Sequence, residues 1–325
     1  VIHGTTLATN ALIERRGAKV AFVTTEGFRD VIEMRTESRF DQYDLNLTLP
    51  TPLVPREDRF PVKGRIGAQG QELAPLDEAG LQALAERCAT GGYGAVAIGF
   101  IHSYMNPAHE ARARAIIAAK VTLPISISSE VSPQMREFER FNTVCANAYV
   151  RPQMADYLTR LQIRLGDMGA TCPVFMIHSG GGLINVETAA EFPVRLVESG
   201  PAGGAIFAAD IARRFGLDRV VSYDMGGTTA KICLIEDFAP KTARTFEVAR
   251  STRFAKGSGM PISIPVIEMI EIGAGGGSIA WVDTLSRIQT GPESAASEPG
   301  PACYGKGGVE PTVTDAQVVL GRLDP

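Results

Sequence analysis

Apolar runs and helix-period stripes take turns along most of this chain, the pattern of an α/β fold. Four short runs, apolar at nearly every position, predict buried strands at Val20–Thr24, Ala95–Ile101, Val174–Ile177 and Arg219–Tyr223. Helices are expected between them. Asp77 can cap a helix whose Leu81, Leu84, Ala85 and Cys88 share one face. Asn106-Pro107 marks a second start, with the helix running to about Ala119. A third helix is expected from Pro152, where Met154, Leu158, Leu161 and Leu165 form a stripe. A fourth covers Ala202–Phe215, rich in alanine and suited to close packing on a sheet. Leu45–Pro61 carries Pro50, Pro52, Pro55 and Pro61 and reads as an extended connector. A boundary is expected near Thr122–Pro133, and beyond Phe238 the pattern loosens into short strands and glycine turns.

The 325 residues suggest two domains, each with its own core. A net charge of −4 gives no electrostatic reason to bind nucleic acid. No apolar run approaches the roughly 20 residues that span a bilayer. The opening VIHGTTLATN has neither the basic nor the apolar part of a signal peptide. Cys88, Cys145, Cys172, Cys233 and Cys303 are scattered, which argues for a reducing cytoplasm and against a zinc site or disulfide framework. The start at Val1 and the end at Pro325 read as those of a piece of a longer chain.

The densest chemistry lies in Val220–Ile235, VVSYDMGGTTAKICLI. A strand ends in Asp224, two glycines and two threonines follow, and a second strand begins. Gly226 and Gly227 can take φ > 0 and let a ligand approach the backbone. Successive amides in such a turn make an anion nest, to which Thr228 and Thr229 add hydroxyls. Asp224 is an acid suited to Mg²⁺. These features describe a phosphate-binding hairpin; the alternative is a simple Gly-Gly turn with an Asp at its edge.

Three more glycine clusters stand at strand ends or helix starts: Ser179–Gly182, Ser199–Gly204 and Gly273–Ser278. The second immediately precedes the Ala202–Phe215 helix, so its amides, including those of Gly203 and Gly204, can face an anion. Together with the hairpin they read as loops converging on one nucleotide. His3-Gly4-Thr5-Thr6 repeats the Gly-Thr-Thr chemistry near another strand end. Gly300–Lys306 fits GxxxxGK, but Gly307 replaces the required Ser/Thr. GAGGGS puts Ser278 where a dinucleotide fingerprint needs glycine, and the four histidines form no metal spacing.

Six segments carry a family likeness: the stretch from His3 to Met34, HSYMNPAHE, SGPAGGAIFAA, DMGGTTAKICLI, GAGGGSIAWVD and the stretch from Gly291 to Leu323. In content and order they resemble the N-methylhydantoinase A / 5-oxoprolinase / acetone carboxylase family. The resemblance implies an α/β, actin-like ATPase fold of two ribonuclease-H-like domains, residues 1–125 and 143–325, with a nucleotide between them. The family's first phosphate hairpin and its long C-terminal part lie outside this sequence, which implies a fold truncated at both ends. DMGGTT looks like the second phosphate hairpin. Many members have Asp where Lys231 stands; a cation there can touch phosphate or cap the strand.

The resemblance further implies ATP and Mg²⁺ as cofactors and phosphoryl activation of a carbonyl oxygen. The expected reaction is ring opening of a cyclic amide of the hydantoin, 5-oxoproline or lactam type. The alternatives are a ketone carboxylase subunit and a non-catalytic nucleotide-binding partner. Asp224 is expected to organise Mg²⁺. Gly226, Gly227, Thr228 and Thr229 are expected to hold phosphate, as are Gly4, Thr5, Thr6, Gly203 and Gly204. Gly275, Gly276 and Gly277 are expected to approach the nucleotide. Asp315 is expected to be a further catalytic acid, or alternatively a helix N-cap. A B-type subunit is the expected partner within an oligomer, with no nucleic acid and no membrane.

Overall fold

A computed structural model describes every residue except 37, 38, 251–254 and 325. The chain forms two compact units, Val1–Ala202 with Ala243–Val266, and Gly203–Thr242 with Ile267–Pro325. In chain order the first unit contains β1 (Ile2–His3), α1 (Leu7–Ile13), β2 (Val20–Thr25), β3 (Arg59–Val62), α2 (Glu78–Thr90), β4 (Ala95–Gly99), α3 (Ala108–Ala118) and β5 (Ile125–Ile127). It continues with α4 (Glu137–Asp167), β6 (Phe175–Ile177), β7 (Leu183–Asn185) and the start of α5 (Ser199–Phe215).

β2, β3, β4 and β5 form a parallel sheet in the order β3-β2-β4-β5. Both faces are buried, which is why its strands read as continuous apolar runs. Val20, Phe22, Ala95 and Ala97 face a core shared with Phe141, Val144 and Cys145 of α4. Ala21, Val23, Val96 and Ile98 face Leu81 and Leu84 of α2 and Ala113 and Ile117 of α3. The result is three layers, helix on sheet on helix. Asp77 caps α2 as expected, accepting the Gly80 amide at 2.9 Å; α3 is capped by Pro107, and Asn106, one residue earlier, accepts the Ala108 amide at 3.0 Å.

Two helices differ from expectation. α4 starts at Glu137, well before the start expected at Pro152, and carries Pro152 inside it. Every residue from Arg140 to Val150 is buried, so this half of the helix has no polar face and no 3.6-residue period to read. Proline at position 152 resembles a helix start, yet packing on all sides outweighs the hydrogen bond it removes. α5 starts at Ser199, so SGPAGG is helix rather than a loop before one.

One ionic network lies deep in the first unit. Glu110 of α3 and Arg140 of α4 are both fully buried. Glu110 accepts the amides of Phe100 and Ser129, each at 2.8 Å, and the Ser128 hydroxyl at 2.6 Å. Arg140 donates to that same hydroxyl at 3.0 Å and to the Phe100 carbonyl at 2.7 Å. Ser128 thus links the two charges. Burial pulls the Arg140 guanidinium below its ordinary pKa, with Glu110 and Glu137 opposing the shift.

The second unit holds β8 (Arg219–Met225), β9 (Ala230–Glu236), β10 (Ile270–Ile272), β11 (Ser278–Val282), β12 (Ile288–Ser294) and α6 (Val313–Val319). β8 and β10 both pair antiparallel with β9. β11 and β12 form a hairpin, and Ile279 bridges to Thr312 before α6. No helix among the described residues is long and apolar enough to cross a membrane.

Candidate phosphate-binding site

The hairpin expected from Val220–Ile235 is present in the second unit. β8 and β9 run in register from Arg219↔Glu236 to Met225↔Ala230, with Asp224 directly opposite Lys231. Directly opposed residues share a sheet face, so Asp224 and Lys231 are cross-strand neighbours. The turn Gly226–Thr229 closes with the Gly226 amide on the Thr229 carbonyl at 2.9 Å. Residues 224–228 are exposed. The Asp224 side chain has no hydrogen bond or ion pair among the described residues.

Gly226 and Gly227 do not use left-handed conformations, contrary to expectation. A Cβ at Gly227 would meet nothing within 4 Å, and one at Gly226 would make only ordinary contact, 3.5 Å from the Thr229 carbonyl oxygen. Neither glycine is required by the packing or the backbone of this chain.

Gly273–Ser278 does require its glycines. A Cβ at Gly275 would lie 2.5 Å from the Gly227 carbonyl carbon and the Thr228 nitrogen. At Gly276 it would lie 2.6 Å from Thr314 Oγ1, and at Gly277 3.0 Å from the Gly227 carbonyl oxygen. This loop therefore seats the hairpin turn, backbone on backbone. The amides of Gly276 and Gly277 donate to the carbonyls of Gly226 and Gly227 at 2.9 and 2.7 Å. The Gly275 amide donates to Ser278 Oγ at 2.9 Å. All three amides are committed inside the protein, so the loop positions the turn rather than offering donors of its own. By contrast, among the described residues no protein acceptor takes the amides of Gly227, Thr228 or Thr229. The carbonyls of Gly226, Gly227 and Thr229 are tied down, while the amides of Gly227, Thr228 and Thr229 remain uncommitted among the described residues.

α6 braces the same loop. Thr314 accepts nothing from it but donates twice, its amide and its hydroxyl reaching the Gly276 carbonyl at 2.8 and 2.9 Å. Asp315 is the third residue of α6 and closes a capping box with Thr312, the N-cap. Its carboxylate accepts the Thr312 amide at 2.8 Å, the Thr312 hydroxyl at 2.7 Å, the Cys303 amide at 2.7 Å and the Ala302 amide at 3.3 Å. Burial would raise its pKa, but the bonds from Thr312 and Cys303 hold it well below the ordinary carboxylate range. A depressed folded-state pKa gives stability that is present above the ordinary value of 3.8 and lost as pH falls below it. Asp315→Asn is therefore expected to unfold at lower urea than wild type at pH 7. The difference should shrink toward pH 3, as read by urea titrations at both pH values.

The remaining glycine segments fall in the first unit or in α5. Thr5 and Ser199 clasp each other: the Thr5 amide donates to Ser199 Oγ at 3.1 Å, and Ser199 Oγ donates to the Thr5 carbonyl at 2.9 Å. A Cβ on Gly4 would lie 3.5 Å from Gly200 Cα, so these two backbones approach closely. Thr6 is the N-cap of α1, and its carbonyl takes the Asn10 amide at 2.9 Å. Ser179–Gly182 is the turn between β6 and β7, folded around His178, whose Nδ1 accepts the Gly180 amide at 3.0 Å. Gly203 and Gly204 are the fifth and sixth residues of α5. Their amides belong to the intrahelical ladder, so they are not the anion donors expected of a loop. Sequence reasoning missed Ser199, Ser278 and Thr314 as the side chains that fix these loops. Their one signal was a hydroxyl adjoining each glycine cluster or, for Thr314, adjoining Asp315.

Among the described residues no three His, Cys, Asp or Glu side chains gather into a metal cage. One exposed carboxylate, Asp224, beside three uncommitted amides fits Mg²⁺, which takes one or two protein carboxylates and draws its other ligands from phosphates and water.

A hydantoinase/oxoprolinase family model matches residues 140–325, and a model of the hydantoinase/oxoprolinase N-terminal region matches residues 1–121. The alpha subunit of caprolactamase from Pseudomonas jessenii is 41% identical over 328 residues, covering 99% of this chain and 45% of that subunit. The crystal structure of ATP-dependent caprolactamase from the same organism superposes with a TM-score of 0.81 at 39% identity, over 100% of this chain and 46% of that one. A nucleotide-free acetone carboxylase structure gives 0.77 at 25% identity, again over 100% and 46%. The chain thus spans about half the length of these relatives. By sequence and by its α/β fold, this chain belongs to the hydantoinase/oxoprolinase family.

Proposed function

We propose that this chain supplies the phosphate-holding site of an enzyme that uses ATP to open a cyclic amide. The observation that carries the reading is the turn Gly226–Thr229. Its carbonyls are fixed against Gly276 and Gly277, and three consecutive amides are left for an anion. Its two glycines answer no need of the chain itself, which fits a ligand pressed against the backbone.

In the proposed reaction the amide oxygen attacks the terminal phosphorus of ATP and ADP departs. Two waters then supply both oxygens of the product carboxylate, the ring C–N bond breaks with a proton passing to nitrogen, and phosphate leaves with the original carbonyl oxygen. The amides of Gly227, Thr228 and Thr229 and the threonine hydroxyls hold phosphate oxygens and stabilise charge that builds on them. Bound Mg²⁺ would neutralise part of that charge. Asp224 would hold it, and Lys231 adds a cation on the same face. Asp315 serves as an anchor of the loop that seats the turn, since both its oxygens are already engaged.

A cyclic amide is preferred to a ketone because caprolactamase is the closer of the two structures in identity. The reading places the chain with a partner subunit of B type. The test is phosphate release by the complete enzyme. Stimulation by caprolactam, hydantoin or 5-oxoproline supports the reading. Stimulation only by a ketone with bicarbonate replaces it with the carboxylase, and no turnover with either leaves a non-catalytic nucleotide-binding subunit.

A further inference from the structure

The sheet formed by β8, β9 and β10 carries a whole apolar face on its exposed side. Directly opposed residues share a face. Val221 stands opposite Leu234, Tyr223 opposite Ile232, and Met225 opposite Ala230. Across the next pair, Ala230 stands opposite Ile272 and Ile232 opposite Ile270. All of these lie on one face. Val221, Tyr223, Met225, Leu234, Ile270 and Ile272 are exposed, the first two at 60% and 57%. The other face carries Cys233 and Ile235, both buried, with Asp224 opposite Lys231. An antiparallel sheet with one side in water turns its polar residues outward. Here the outward side is apolar. The charged residues on it, Arg219 and Glu236, stand opposite each other at the end away from the turn.

The same sheet has an open edge. β8 pairs with β9 on one side and with no strand on the other among the described residues. The Gly226 amide on the Thr229 carbonyl and the Asp237 amide on the Asp218 carbonyl fix the alternation of the ladder. Hydrogen-bonded pairs recur at every second residue, so the amides of Val220 and Ser222 point to β9. The amides and carbonyls of Val221 and Tyr223 point to the open edge. An edge strand that is also apolar is an aggregation hazard unless something covers it.

We infer that a β-strand on the open edge of β8, together with its flanking helix on the apolar face, comes from a further stretch of the same polypeptide. A strand with its helix is the unit by which α/β sheets grow, and it meets both demands at once. Chain length leaves room for it: all of this chain aligns with only 46% of the caprolactamase chain. A segment of the same chain is favoured over a separate subunit because it covers the face as the protein folds. A subunit that docks later leaves the face and edge bare in the meantime. The inference does not depend on what the Gly226–Thr229 turn binds.

Hydrogen exchange in the complete protein, resolved to single amides, tests the edge without any substitution. The Val220 and Ser222 amides, which point to β9, are the internal standard. The Val221 and Tyr223 amides are expected to exchange within about tenfold of that standard, as paired amides of one cooperative unit do. Faster exchange than this would overturn the inference. Benzoylphenylalanine in place of Tyr223, irradiated in the complete protein, identifies the occupant. The expected crosslink joins position 223 to a peptide of the same polypeptide outside residues 1–325, in a species that runs as a monomer on a denaturing gel. A crosslink to another subunit, to a second copy or to residues 1–325, or no crosslink in the folded protein, would also overturn it.

Discussion

Asp224→Asn is expected to lower ATP turnover in the complete enzyme by about 100-fold or more, the loss typical of removing one group that stabilises charge in a phosphoryl-transfer site. The substitution keeps the shape of the side chain and removes its charge. The Asp224 side chain is exposed and makes no hydrogen bond among the described residues, so the fold has little to lose. The melting temperature should therefore stay close to that of wild type. The loss should fall mainly on kcat if Asp224 acts through Mg²⁺ on the transferring phosphate. Raised Mg²⁺ should recover part of it. Turnover that stays within a few-fold of wild type would remove Asp224 from the site.

Glu110→Ala is expected to have the opposite profile, a large loss of stability with no direct effect on phosphate. It would leave the Phe100 and Ser129 amides without the acceptor they use. It would also leave Arg140, fully buried, to rely on the half-buried Glu137 as a counter-charge at 3.3 Å. Leaving a buried donor without its acceptor typically costs about 1–3 kcal/mol, and more beside a buried charge. Chemical denaturation of the first unit should show that loss. Glu110→Gln keeps an acceptor for one of the amides and should lose less. A loss below about 1 kcal/mol for Glu110→Ala would mean that water replaces the carboxylate, and that the network contributes little.

The two central strands of the parallel sheet were legible because they are buried on both faces and so read as unbroken apolar runs, at Val20–Thr25 and Ala95–Gly99, whereas the edge strands Arg59–Val62 and Ile125–Ile127 lie where a connector and a boundary were expected. The Gly226–Thr229 hairpin was legible for a different reason. Its polar residues are confined to the turn, between two strands that pair in register. The first half of α4 was not legible. Burial on every side erases the period that marks a helix, and Pro152 imitates a helix start. Ser199–Gly204 misled because glycine and proline read as loop, although proline fits the first turn of a helix. The glycine loops showed that backbones approach, but not which backbone approaches which. Gly275 lies against Gly227 and Thr228, 47 to 48 positions away, a pairing that only the folded chain reveals. Asp315 was half legible. The acid at the start of a helix was visible, but not that Thr312, Ala302 and Cys303 between them occupy its oxygens.

The central claim is that the amide carbonyl oxygen becomes the atom joined to phosphorus. A cyclic amide labelled with ¹⁸O at its carbonyl, turned over by the complete enzyme with ATP, tests it directly by mass spectrometry of the released phosphate. The account predicts one ¹⁸O in each phosphate formed with ring opening, and none in the product carboxylate. Label that stays entirely in the carboxylate, with unlabelled phosphate, would contradict it.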